Sequence, residues 1–97
     1  MKAKLIYREK YIYEDGAIRE MVLWQLPGRT EVKSNALKYR LYYGRPDGTC
    51  IVRYDNETGK GDHRHTGQKE EPYSFEGVET LVADFLEDID RVRRGRK

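Results

Sequence analysis

The feature that most restricts the fold is a change of hydrophobic period near residue 78. Val78, Leu81, Val82, Phe85, Leu86, Ile89 and Val92 recur at helical spacing, so they share one stripe of a 3.6-residue helix. Glu79, Asp84, Glu87, Asp88 and Asp90 fall elsewhere and read as a solvated face. A helix with a single apolar stripe is stable only against a second layer. Everything upstream has the pattern of strands, so the second layer is a sheet. Pro72 precedes the helix, and Ser74 or Gly77 can cap its start.

Two hairpins supply that sheet. Asp15-Gly16 separates segments rich in Tyr, Ile, Val, Leu and Trp, which predicts a long hairpin from Leu5 to Leu26 closed by a two-residue turn. That turn would set Tyr13 opposite Ile18, Tyr11 opposite Glu20, Glu9 opposite Val22 and Tyr7 opposite Trp24 on a core side. The aromatics Tyr7, Tyr11, Tyr13 and Trp24 then read as core and sheet side chains rather than a base-stacking platform. Leu37–Tyr43 and Thr49–Tyr54 form a second hairpin around Arg45-Pro46-Asp47-Gly48, where Pro presets the turn and Gly accepts a positive φ. A bulge at Gly48 would put Tyr42 near Val52 and Arg40 near Tyr54 on one face. The expected fold class is α+β: a twisted, mainly antiparallel sheet of four or five strands with one C-terminal amphipathic helix packed on a face.

Composition narrows the class further. Ninety-seven residues with 37% hydrophobic and 37% charged side chains, eight Tyr, two Phe and one Trp fit one small folded domain over residues 1–97. The longest apolar run, Met21 to Trp24, is far below the roughly 20 residues of a membrane span. No apolar secretory segment follows Met1, and Cys50 has no second cysteine to pair with, so a cytoplasmic protein is expected. The net charge of +2 is segmented: residues 76–90 hold six acids and no base, and residues 91–97 hold five bases. Arg91 and Arg93 suit the negative end of a helix dipole, whereas Arg94, Arg96 and Lys97 read as a basic tail for phosphates or an acidic partner.

Chemistry concentrates in Gly59-Lys60-Gly61-Asp62-His63-Arg64-His65, which contains both histidines of the chain. In an extended backbone His63 and His65 point to the same side, roughly 6.6 Å apart, which brackets a phosphodiester. One imidazole could take the 2′-hydroxyl proton of RNA while the other protonates the leaving 5′-oxygen. Lys60 and Arg64 would balance the charge of the transition state, and Asp62 and Asp55 would orient a histidine or the loop. Arg40, Tyr42 and Tyr54 add a cation and a stacking surface if they share that face. This scheme needs no metal and no cofactor. Three other readings stand beside it: a solvated polar loop, a metal site built from His63, His65, Asp55 and Asp62, and a non-catalytic basic module that grips nucleic acid or a partner.

The strings Val52-Arg53-Tyr54-Asp55-Asn56, Gly59 to His65, Glu71-Pro72-Tyr73-Ser74-Phe75 and Leu81-Val82-Ala83-Asp84-Phe85 resemble the TumE-type toxin family of bacterial and archaeal toxin–antitoxin modules. The resemblance spans roughly residues 50–90 and is looser in the N-terminal hairpin. It implies a small cytoplasmic toxin neutralised by a helix-turn-helix antitoxin. Its marker positions are Lys60, Asp62, His63, Arg64 and His65, with Tyr54, Asp55 and Asn56 just before them. Taken with the residue chemistry, the expectation is a toxin that cleaves RNA without a metal. An exposed sheet edge or the surface of Arg8, Met21 and Leu23 would meet the antitoxin or a second copy in a homodimer.

Overall fold

The computed structural model describes residues 4–25, 37–56 and 61–95. It comprises β1 (Lys4–Ile12), β2 (Ile18–Gln25), β3 (Leu37–Gly44), β4 (Cys50–Asp55), β5 (His63–Thr66), β6 (Lys69–Pro72) and α1 (Val78–Gly95). The strands form one six-stranded antiparallel sheet in chain order, and α1 lies across one face, over β4. The architecture is the expected α+β one with one more strand than expected. That strand, β6, is Lys-Glu-Glu-Pro, a charged edge segment with no alternating apolar signal, as exposed edges commonly are.

The helix follows its stripe. Leu81, Phe85 and Ile89 are buried against Met21, Leu23, Tyr39, Leu41, Tyr43, Val52 and Tyr54 of the sheet. Side chains alternate across a strand, so one face of β2, β3 and β4 is apolar and covered, and the other is left for polar groups. The acid face needs one correction. Asp88 is 3% exposed and accepts hydrogen bonds from Tyr54, Arg64 and Arg91, while Asp84 accepts from Tyr73 at 2.7 Å.

The first hairpin has a different register from the one expected. Its loop is three residues long: the Gly16 amide donates to the Tyr13 carbonyl at 2.9 Å, and the Tyr13 amide donates to the Ala17 carbonyl at 2.8 Å. Gly16 takes φ +90°, the left-handed position that such a loop requires. Tyr11 therefore meets Arg19 and Glu9 meets Met21, one residue away from a two-residue turn. On β2 the shift puts Met21 and Leu23 under the helix and Val22 and Trp24 on the opposite face. Arg8 lies with Val22, so it shares no surface with Met21 and Leu23. Tyr7 and Tyr11 face the helix side but stay 47% and 48% exposed.

The second hairpin has the expected turn, Arg45 to Gly48, with Gly48 at φ +95°. A second irregularity follows. Gly44 pairs with Cys50, yet Tyr43 pairs with Val52, which leaves Ile51 as an extra residue. That bulge reverses which of β4's side chains join which face. At the other end, Arg94 and Gly95 belong to α1 rather than to a tail. Arg93 donates to the Tyr43 hydroxyl and to Asp15, and Arg94 pairs with Asp90 at 3.1 Å. Arg96 and Lys97 lie outside the described residues.

Candidate functional site

The polar face of the sheet is built row by row from strand pairing. One row runs Glu20, Tyr42, Arg53, His65, Glu70, and the next runs Val22, Arg40, Asp55, His63, Pro72. His63 and His65 thus stand together on the face opposite α1, because two residues along a strand return to the same side. Their side chains are 20% and 25% exposed. Glu70 reaches both: its Oε2 lies 3.3 Å from His63 Nδ1 and 3.5 Å from His65 Nε2. Arg53 Nη2 lies 3.0 Å from the same His65 Nε2, and Arg53 Nε lies 3.3 Å from Asp55.

This cluster is not fully satisfied. His63 Nε2 is buried and makes no hydrogen bond among the described residues, so this nitrogen is uncommitted within the cluster. An open groove of about 570 Å³ borders the cluster, lined by Glu20, Trp24, Lys38, Arg40, Tyr42, Arg53 and Asp55. A second hollow of about 330 Å³ is lined by Asp62, His63, Glu70, Glu71 and Pro72. Arg53 and His65 link the two along one row.

The structure separates residues that the sequence had grouped. His63, His65, Arg40 and Asp55 share the polar face. Tyr54 does not: the bulge at Ile51 turns it under the helix, where its hydroxyl donates to Asp88, and burial beside that carboxylate raises its pKa far above the ordinary value. Arg64 points the same way, pairing with Asp88 at 3.3 Å and Glu71 at 3.5 Å. Asp62 also lies toward the helix side, accepting the Tyr39 hydroxyl at 2.6 Å. It fixes the start of β5 and orients neither imidazole. Lys60 lies outside the described residues. Among the described residues no group of three or more His, Cys, Asp and Glu side chains converges as a metal ion requires, so the set Asp55, Asp62, His63 and His65 does not assemble.

Two members of the cluster were absent from the sequence reading. Arg53 was missed because a bulge at Gly48 would set Tyr54 beside Arg40, whereas the bulge at Ile51 sets Arg53 opposite Tyr42 on that face. Glu70 becomes visible only once Thr66-Gly67-Gln68-Lys69 is read as a tight turn, with Gly67 at φ +65°, because that turn sets Glu70 opposite His65.

A family model described as Toxin TumE matches residues 2–93. The chain belongs to the TumE toxin family. The match takes in nearly all of β1 through α1, including the N-terminal hairpin, so it reaches well beyond the motif strings at residues 50–90. It makes the protein a toxin of a toxin–antitoxin module, with an antitoxin as its partner. No curated protein and no solved structure matches the chain, so the roles of individual side chains rest on TumE geometry alone. No helix among the described residues is long and apolar enough to cross a membrane.

Proposed function

We propose that this TumE toxin is a metal-independent endoribonuclease, with His63 and His65 as its acid–base pair. The observation that carries this reading is the sharing of one carboxylate oxygen, Glu70 Oε2, by both imidazoles. Arg53 is paired with Asp55, so Glu70 is the carboxylate that both rings face. The chemistry of 2′-hydroxyl attack needs one imidazole free and one protonated. The free imidazole takes the 2′-hydroxyl proton, the 2′-oxygen attacks phosphorus, and the imidazolium gives its proton to the departing 5′-oxygen. The products are a 2′,3′-cyclic phosphate and a 5′-hydroxyl. Arg53 and Arg40 replace Arg64 as the cations that face the phosphate, with stabilisation concentrated where charge develops. RNA substrate places the action in the cytoplasm, and a helix-turn-helix antitoxin would neutralise it by covering this face.

Purified toxin incubated with RNA and EDTA tests the reading. Cleavage leaving a 2′,3′-cyclic phosphate, reduced about 10²- to 10⁴-fold by His65→Ala or His63→Ala, is the expected result. Cleavage that vanishes with EDTA and returns with a divalent metal sinks it. A competing reading, a non-catalytic basic module, predicts salt-sensitive RNA affinity that is indifferent to both histidines.

A further inference from the structure

The aromatic side chains of this fold are mostly spent on the helix side of the sheet, where Tyr39, Tyr43, Tyr54 and Phe85 are fully buried. Trp24 is not. It stands half-buried on the polar face of β2 and lines the same groove as Arg40 and Arg53. Lys38 is its direct cross-strand partner, and the ammonium lies 5.8 Å from the indole centroid. Arg40, two residues farther along β3, is exposed and forms no ion pair among the described residues. An indole face, an ammonium over it and an uncommitted guanidinium beside it suit one stacked base and its phosphates. The groove volume falls within the roughly 300–1,000 Å³ of small-ligand sites.

We propose that Trp24, Lys38 and Arg40 form a stacking site for one nucleobase of a single-stranded RNA whose backbone continues to the histidines. The identity of the polymer rests on the nuclease reading above. Three strand spacings, roughly 14 Å, separate β2 from β5, so the base held at Trp24 belongs to a nucleotide flanking the one that is cut. On binding, the base replaces the ammonium over the indole, and Lys38 turns to a neighbouring phosphate. Stacking of this kind tolerates any base, because every base has a π-face. The site therefore supplies affinity and register, and sequence preference arises elsewhere along the groove.

Trp24 is the one tryptophan in the chain, so its fluorescence reports on this site alone. The probe is a fully 2′-O-methylated oligoribonucleotide, which cannot undergo 2′-hydroxyl attack, titrated in EDTA. Expected are quenching of Trp24, a loss of affinity of roughly 5- to 150-fold in Trp24→Ala, and recovery of most of that loss in Trp24→Phe. Independently of any change at the indole, Arg40→Gln flattens the salt dependence of log K by about 0.7. Unchanged fluorescence together with full affinity in Trp24→Ala overturns the proposal. Quenching by the antitoxin and not by the oligonucleotide also overturns it and makes the groove a partner surface. Quenching by the oligonucleotide, with unmodified RNA left intact, upholds the base site while the nuclease reading fails.

Discussion

At the scale of single residues, Arg53 and Glu70 decide what His65 can do. Its Nε2 receives from Arg53 when the ring is neutral and faces Glu70 when it is charged, so the two neighbours serve opposite protonation states. Glu70→Gln keeps the shape and removes the charge that faces both rings. The expected result is a drop in kcat of about 10- to 100-fold with little change in KM, the loss of one hydrogen bond to a charged group. An unchanged kcat in Glu70→Gln would show that Glu70 is only a surface acid. Arg53→Lys keeps the charge and loses the fork that spans Asp55 and His65. Such a variant should bind RNA nearly as well as the parent but cleave at least about tenfold more slowly, and single-turnover rates separate the two effects. His63 and His65 could be read from the sequence because their spacing alone puts them together. Arg53 and Glu70 could not, because each depends on a register set several residues away.

At the scale of elements, both long hairpins close through an x-Asp-Gly loop. In each, the Asp side chain accepts the amide two residues on, Ala17 for Asp15 and Thr49 for Asp47, and the Gly holds a positive φ. The same dipeptide is compatible with a two-residue turn, and that ambiguity is why the first hairpin was displaced by one residue while the helix, carried by seven stripe positions, was not. The loops differ in surroundings. A Cβ on Gly16 would meet Pro46 Cγ at 2.9 Å, whereas one on Gly48 would meet nothing within 4 Å. Gly16→Ala should thus destabilise the fold by about 2 kcal/mol and Gly48→Ala by about 1 kcal/mol, the latter from backbone strain alone. Chemical denaturation checks this: both variants lower the midpoint at unchanged m-value, Gly16→Ala more. Equal losses would mean that the contact between the two hairpin tips contributes nothing.

At the scale of the whole molecule, the sheet and its end segments are tied by three phenol–carboxylate bonds: Tyr39 to Asp62, Tyr54 to Asp88 and Tyr73 to Asp84. Two of them cross directly to α1. Sequence patterning locates the apolar seam but not these bonds, since Asp84 and Asp88 look like the solvated side of the helix until Tyr54 is known to face inward. In all three tyrosines burial and then the neighbouring carboxylate raise the pKa above the ordinary 10.0. The folded chain therefore holds these protons more tightly than the unfolded chain. Their contribution to stability is complete below pH 10.0 and is lost as pH climbs from there toward the raised folded values. Lysines also titrate in that range, so the measurement compares variants. Tyr54→Phe should be about 1–2 kcal/mol less stable than the parent near pH 8, through loss of a hydrogen bond to a charged acceptor. Its stability should then fall less steeply above about pH 10, so that the two denaturation curves converge. Parallel curves across that range would mean that the Tyr54 phenol ionises as readily in the folded chain as in the unfolded one, and that the bond to Asp88 does not hold its proton.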